Sequence, residues 1–511
     1  MTESRVSIGA TALALTLAAL SMAAAAPAFV NHDAGWYLYV VERWFAGAGL
    51  YRDVIDTNPP LIVWLTAPSV AVSRMSGWPA TAVFKGFIFA LSAASIFALR
   101  SIVRRSWPER EFLMVATVAF VMLPFVKEDF GQREHLAVLL TMPYAVLAGV
   151  RSGGIGSPQR ALIGTAAGIG FAIKPHFVIA WVAVECVTFA LDNWRTFRRT
   201  EFLAALAVVT TYVVAVVLFT PQYFRVVQQV QAVYGGLNSP PSVLVRLREV
   251  QLWIAALAVC VAIRWRRSDP LPLSLFAAAT GYLLAALLQF KGWGYQLYPA
   301  RVFLVLFLVI VAGAVLHEVP ALGALLRGGR RGLAIVFAGA LILASVRYIA
   351  EARRPAAPDL VTPMIHAVTE HGGGPLTVLS MRTIIYPAFP TVNYSRSGWG
   401  LRHNSLWFLP GFYSDQDRLA GGPLEPHSVI AMPALERVFF DQIVEDLCAT
   451  PPQLLAIEHP APAAPAGRRA LDLHAYYGQN PRANALLASY RQRGTLGPFI
   501  LLAADSPAAC R

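Results

Sequence analysis

Apolar residues run through the first 350 positions in blocks too long and continuous for an ordinary water-soluble helix. A hydrocarbon core about 30 Å thick takes roughly 20 mostly apolar residues per helix. Blocks that approach this requirement lie at residues 6–29, 79–103, 111–126, 135–150, 160–174, 176–191, 201–220, 250–264, 270–290, 300–319 and 332–349. After residue 350 the pattern changes. Short apolar runs at 376–380, 454–458 and 499–503 predict strands, and stretches near 359–371, 431–448 and 480–493 predict helices. The expected fold class is mostly α: a polytopic transmembrane domain of about 11 helices over residues 1–350, followed by an α/β domain over 351–511. Between the first two blocks, residues 34–47 mix aromatics with a few charges at helical spacing, which suits a helix lying in the membrane interface. Pro59 and Pro60 end one segment and can open the next, so the loop 30–78 reads as two interfacial helices joined by a turn.

Composition sharpens this picture. Hydrophobic residues make up 56% of the 511 residues and charged residues 14%, with a mean hydropathy of +0.54. A soluble domain carries about a quarter charged residues, so an ordinary cytosolic enzyme and a disordered chain are both excluded. The 42 basic and 29 acidic side chains leave a formal charge of +13. In a soluble protein that surplus could indicate nucleic acid. Here the arginines sit in short clusters between apolar blocks, which is how a membrane protein fixes its orientation, and no nucleic-acid function is read from them.

Every second loop is basic: Arg104, Arg105 and Arg110; Arg151 and Arg160; Arg195, Arg198 and Arg199; Arg264, Arg266 and Arg267; Arg327, Arg330 and Arg331. These loops are predicted to be cytoplasmic. Loops 30–78, 127–134, 174–176, 221–249 and 291–299 are then external, and an odd number of spans places 351–511 in the periplasm of a bacterial-type inner membrane. Lys127, Arg133, Arg246 and Arg248 weaken the contrast without removing the alternation. The first block, ending in the small residues 23–27, also reads as a cleavable secretory signal; cleavage would leave the downstream orientation unchanged. Cys448 and Cys510 lie in the exported part, where an oxidising compartment lets them pair. Cys186 and Cys260 fall inside predicted spans and read as small buried hydrophobes.

The polar outliers converge on the external loops. The first reads Asn31-His32-Asp33-Ala34-Gly35-Trp36-Tyr37, continues through Gly49-Leu50-Tyr51-Arg52-Asp53 and reaches Asn58-Pro59-Pro60-Leu61. An Asp just after the first span, an aromatic interfacial helix, the Tyr-Arg-Asp segment and the Pro-Pro-Leu restart resemble the GT-C class of polytopic glycosyltransferases. The likeness is to the branch of protein mannosyltransferases and lipid A aminoarabinose transferases. The motif match covers about residues 31–65, and the architecture agrees along the chain. The resemblance implies a polyprenyl-phosphate-linked sugar as donor, a first-loop Asp as catalytic residue, and a soluble domain on the outer side.

Displacing a phosphate from an anomeric carbon needs little proton donation, because phosphate already leaves as an anion. A single base acting on the acceptor hydroxyl can suffice, and Asp33 is the candidate. The competing reading is that Asp33 caps the helix beginning at Ala34. The second external loop carries Lys127-Glu128-Asp129-Phe130-Gly131-Gln132-Arg133-Glu134-His135. These charges read either as solvated loop residues or, by the resemblance, as a second acidic motif in which Glu128, Asp129 or Glu134 supports the acceptor or a divalent metal, Mg or Mn. His135 alone makes no metal site.

Lys174-Pro175-His176 interrupts an otherwise continuous apolar run, and Lys291-Gly292-Trp293-Gly294-Tyr295 joins two strong spans. Lys174 and Lys291 are the leading candidates for the donor phosphate, with Arg52, Arg133 and His176 behind them; snorkelling at the boundary is the plainer reading of Lys174. Tyr51, Trp293 and Tyr295 are candidate sugar or lipid contacts, although Trp and Tyr also populate the ordinary interface belt. Residues 382–386 and 393–403 are rich in aromatics and Arg, and read as an acceptor-facing surface or, more simply, as packing against the membrane domain.

The function read from all this is transfer of a sugar from a polyprenyl-phosphate donor to a lipid, glycan or protein acceptor on the external face. The rivals are a transporter or flippase, which usually places ionisable groups near the bilayer midplane and often shows repeated halves, and a noncatalytic scaffold.

Overall fold

The computed structural model describes residues 3–150, 154–262, 270–318, 320–353, 359–418, 424–459, 471–504 and 510. Arg151, Arg264, Arg266 and Arg267 lie outside the described residues, as do the side chains of Cys260, Arg327, Arg330 and Arg331. The chain forms two compact units. One holds residues 1–29, 82–217 and 239–354; the other holds 30–81, 218–238 and 355–511. The first external loop therefore groups with the C-terminal residues, and not with the helices that flank it in sequence.

Each apolar block becomes a helix: Glu3–Ala25, Ala80–Ser106, Glu111–Met122, Arg133–Ala148, Ser157–Ala172, Val178–Asp192, Thr200–Phe219, Arg248–Ala262, Pro270–Leu287, Tyr298–Glu318 and Pro320–Arg353. Among the described residues, 7 helical segments are long and apolar enough to cross a membrane, and the chain is a multi-pass membrane protein. The shorter helices have a physical reason. Glu111–Met122, about 18 Å long at 1.5 Å per residue, and Arg133–Ala148 are buried along nearly their whole length. They meet neighbouring protein, so the bilayer does not dictate their length. Thr200–Phe219 and Ala334–Glu351, by contrast, are only 11% and 6% buried and form the lipid-facing layer.

Small residues let the helices approach closely. A Cβ on Gly164 would stand 2.2 Å from the Glu201 carbonyl oxygen, and one on Gly281 would stand 2.4 Å from the Ala180 Cα. The expectation that Cys186 is a buried hydrophobe is corrected. Its thiol is exposed, and so is Val182 one turn earlier, so both occupy the outward face of Val178–Asp192.

The ends of this unit carry the alternation read from the loops. At one end, Arg100 bonds Glu111 at 2.8 Å, Arg105 donates to the Gly154 carbonyl at 3.1 Å, Arg160 bonds Glu201 at 2.9 Å, and Arg199 pairs with Glu185. At the other, Lys85 Nζ donates to the carbonyls of Ala25 and Ala28 at 2.8 and 2.5 Å, closing the exit of the first helix. Here Lys127 also bonds Glu351 at 3.0 Å, and Lys174 pairs with Glu134. Loops 127–134, 174–176 and 291–299 gather at this second end.

In the second unit the interfacial helices are His32–Phe45 and Leu61–Ser76, joined through the predicted turn. A sheet of order β1-β2-β4-β3 is built from Leu376–Leu379 (β1), Leu454–Glu458 (β2), Arg491–Leu496 (β3) and Phe499–Ala503 (β4). β1 and β2 are parallel, whereas β4 runs antiparallel to both β2 and β3. Helices Val361–Glu370 and Ala434–Ala449 match expectation. The helix expected at 480–493 is corrected: it covers Pro481–Ala488, capped by Asn480, and the chain then turns into edge strand β3. Cys448 and Cys510 are joined by a disulfide, with Cα atoms 5.3 Å apart.

The close helix contact gives a direct test. Gly281→Val should lower stability by about 1–3 kcal/mol through overpacking, read as a fall in unfolding temperature in detergent. Gly339→Val, where an added Cβ meets nothing within 4 Å, should shift it far less. Equal shifts for the two variants would contradict the backbone contact at Ala180.

Candidate functional site

Asp33 stands in the first turn of His32–Phe45. The residue that caps this helix is Asn31, whose side-chain oxygen accepts the Asp33 backbone N–H at 2.9 Å. The capping role is thus filled by the neighbour, Asn31, and not by Asp33. Its carboxylate is 19% exposed and lies 3.6 Å from His32 Nε2. A negative charge in this position is favoured by the helix dipole.

The helix is fixed from below. Trp36, buried, donates its indole N–H to Asp56 Oδ2 at 2.5 Å, while Asp56 Oδ1 accepts the backbone N–H and side-chain amide of Asn58 at 2.6 and 2.7 Å. Tyr51 donates its hydroxyl to the Asn58 carbonyl at 2.7 Å. Asp56 and Tyr51 together hold Asn58 and the two prolines that start the next helix. Tyr51, expected to meet sugar or lipid, is instead buried at a φ of 63°, with its ring 5.2 Å from that of Tyr223. Arg52 is exposed and bonds Asp53 at 2.9 Å within the same turn.

The other face of His32–Phe45 packs on the C-terminal residues. The Asn393 amide donates to the Gly35 carbonyl at 2.9 Å, Trp36 and Phe389 meet edge to face at 5.3 Å, and the Ile55 N–H donates to the Arg402 carbonyl at 2.7 Å. Asn393 and Arg402 thus pack on first-loop residues of their own unit. Arg402 bonds Asp446 at 2.8 Å, and Arg382 bonds Glu458 at 2.8 Å, so both guanidinium groups are tied within the unit.

In the helical unit the structure brings together Glu134, Lys174 and Tyr295. The Lys174 ammonium pairs with Glu134 and lies 5.3 Å from the centre of the Tyr295 ring. Both charged side chains are buried, and Glu134 Oε2 has no hydrogen-bond partner among the described residues. The leading cation and one of the candidate acids therefore neutralise each other. Trp293 stacks on Tyr295 at 5.9 Å. Lys291 is buried too, and its carbonyl accepts the Ser239 hydroxyl at 2.8 Å; burial pulls its amine down from 10.5 to about 8. His176 is half-buried on the turn Pro175–Phe177, Arg133 is buried at the start of its helix, Glu128 is exposed and Asp129 half-buried.

The donor set does not fit a divalent metal. Among the described residues, no group of three or more His, Cys, Asp or Glu is placed to hold one, and Glu134 is already engaged by Lys174.

Sequence reasoning passed over Asp56, Lys85 and Glu185. Glu185 accepts from Tyr144 at 2.5 Å and pairs with Arg199. The signal for Lys85 and Glu185 was available, since each is an ionisable residue inside an apolar block. For Asp56 it was the Asp-x-Asn spacing ahead of two prolines, which favours a side-chain-to-backbone turn.

The chain matches no protein-family model and no curated protein. Its structure is similar to the crystal structure of ArnT from Cupriavidus metallidurans bound to undecaprenyl phosphate, over 98% of this chain and 98% of that one, with a TM-score of 0.50 and 14% identity. At this identity the likeness shows the fold alone, which is that of the ArnT structure: a polytopic helical region followed by a C-terminal domain.

Breaking one side of the buried pair should be costly. Lys174→Met leaves Glu134 charged and uncompensated, with an expected loss of about 3–5 kcal/mol, whereas the double variant Lys174→Met, Glu134→Gln should regain most of it. Denaturation of the three purified proteins measures this. A double variant no more stable than the single one would show that the two side chains do not depend on each other.

Proposed function

We propose that the protein is a GT-C-type glycosyltransferase that moves a sugar from a polyprenyl-phosphate carrier to a lipid, glycan or protein acceptor. The observation that carries this reading is a fold shared from end to end with a protein whose bound molecule is undecaprenyl phosphate. In this reading the arginine-rich end of the helical unit faces the cytoplasm, and the unit holding Asp33 and the disulfide faces the oxidising, outer side of the inner membrane.

Asp33 takes the proton from the acceptor hydroxyl as that oxygen attacks the anomeric carbon. The bond from that carbon to the phosphate oxygen breaks, and polyprenyl phosphate departs with the electron pair. The leaving group needs no proton of its own, so one carboxylate serves the reaction. Positive charge near the departing phosphate lowers the barrier. Lys291 and Lys174 are the leading candidates for this role, and Lys174, paired with Glu134, joins by exchanging that carboxylate for the phosphate. Arg52, Arg133 and His176 rank behind them. Trp293 and Tyr295 offer stacked ring faces to the sugar or the prenyl chain. Glu128, Asp129 and Glu134 are the candidate acids to assist the acceptor.

Radiolabelled lipid-linked sugar tests the reading: an enzyme transfers the label, a flippase only relocates it, and a scaffold does neither. Asp33→Asn should cost about 10² to 10⁴ in transfer rate while the protein still elutes as a folded species. Near-normal transfer by that variant would remove Asp33 from the reaction.

Lys291 adds a pH dependence. The folded chain releases this proton at about pH 8, whereas an unfolded lysine keeps it to 10.5. Stability should therefore rise between those values, because the unfolded state binds more protons there. Affinity for a polyprenyl phosphate should fall over the same window as the charge is lost. Lys291→Arg should keep that affinity level through pH 9, and a wild-type affinity that is flat across pH 7–9.5 would exclude Lys291 from phosphate binding.

A further inference from the structure

Lys127, Arg133, Arg246 and Arg248 run against the alternation of basic and non-basic loops. Two of them are accounted for inside the protein: Lys127 bonds Glu351 at 3.0 Å, and Arg133 is buried at the start of its helix. Arg246 and Arg248 are not. Both are exposed, and among the described residues neither guanidinium has an ion-pair partner. The adjacent acid, Glu249, is buried and accepts from Arg301 Nε at 2.9 Å and Nη2 at 2.6 Å, so it does not compensate them. We propose that Arg246 and Arg248, with Val243 and Val245, form a surface site for an anionic phospholipid of the surrounding bilayer.

The segment that carries these residues is anchored by its own unit. The Ser239 N–H donates to the Phe290 carbonyl at 2.6 Å, and the Ser239 hydroxyl donates to the Lys291 carbonyl at 2.8 Å. Leu244 is buried against Gly292, where an added Cβ would stand 3.3 Å from the leucine methyl. With Leu244 turned inward, Val243 and Val245 are exposed on either side of it.

Depth follows from the helix that comes next. Arg248 opens Arg248–Ala262, and Gln251, Ala255 and Ala258 succeed it at helical spacing; all four are exposed and form one outward stripe. Ile254 and Leu257, also exposed, widen its apolar part. Arg248 stands about 10 Å along the axis from Ala255, at 1.5 Å per residue. With that apolar face in hydrocarbon, the guanidinium reaches the level of the phosphates.

Charge selects the head group. A guanidinium presents a planar fork of N–H donors that matches the oxygens of a phosphodiester. Two uncompensated cations favour a head group of net negative charge. A zwitterionic head brings its own ammonium into the same field and loses part of the gain. The inference rests on the chain being a membrane protein and not on the transferase reading, since neither arginine is assigned to the reaction.

The test uses the full chain, purified in mild detergent and incubated with equal amounts of phosphatidylglycerol and phosphatidylethanolamine of matched chains, with co-purifying lipid quantified by mass spectrometry. The wild type should retain phosphatidylglycerol in excess, and the excess should shrink as salt rises, a response that needs no variant. Arg246→Gln and Arg248→Gln should each lower the ratio of the two lipids about fivefold, equivalent to about 1 kcal/mol, with unfolding temperature unchanged. Arg347→Gln is the control. That guanidinium is also exposed on a lipid-facing helix but bonds Glu351 at 2.9 Å, so the ratio should hold. Equal retention of the two lipids by the wild type overturns the proposal, and so does a ratio that Arg347→Gln lowers as far as Arg246→Gln.

Discussion

An ionised side chain inside a low-dielectric helical bundle must find its opposite within the protein, because neither lipid nor water will compensate it there. The helical unit is organised around that requirement. Glu134 meets Lys174 at one end; Glu111, Glu185 and Glu201 meet Arg100, Arg199 and Arg160 at the other, and Glu249 meets Arg301. Each pair joins two segments that the sequence keeps apart. The acids are buried and the arginines lie closer to the rim, as the long guanidinium side chain permits. Register between helices is thus fixed by pairing at the ends, while small residues such as Gly164 and Gly281 allow close approach in between.

The membrane segments were legible because burial in hydrocarbon imposes a single demand, apolar length, which composition reports directly. The layering of those helices was not legible in the same way. Glu111–Met122 is as apolar as its neighbours, yet it stands among protein, and only contacts distinguish it from a lipid-facing helix. In the C-terminal region, β1, β2 and β4 announced themselves by apolar runs. β3 reads Arg-Gln-Arg-Gly-Thr-Leu and lies at an edge with most of its residues exposed, so it has no hydrophobic pattern to betray it. The joining of the first loop to the C-terminal residues was equally hidden, since the Asn393 amide reaches Gly35 across 358 positions.

The candidate residues were legible by type and not by pairing. Asp33, Lys174 and Glu134 each stood out as charged residues at a membrane boundary. Nothing in local sequence shows that Lys174 and Glu134, 40 residues apart, satisfy each other. Nor does it show that Asn31 takes the capping role that Asp33 was equally suited to fill. Tyr51 lies buried at a positive φ, its ring toward Tyr223 and its hydroxyl on the Asn58 carbonyl, and local sequence does not report that placement.

The bond between Cys448 and Cys510 encloses β2, β3 and β4 and the two short helices that precede β3. Because Cys510 follows every strand of the sheet, the crosslink can close only after all four have been synthesised and delivered to an oxidising environment. Helix Ala434–Ala449 is thereby tied to the residues beyond β4, at a point where the Cys510 sulfur lies 3.7 Å from the Arg482 carbonyl oxygen of the short helix Pro481–Ala488.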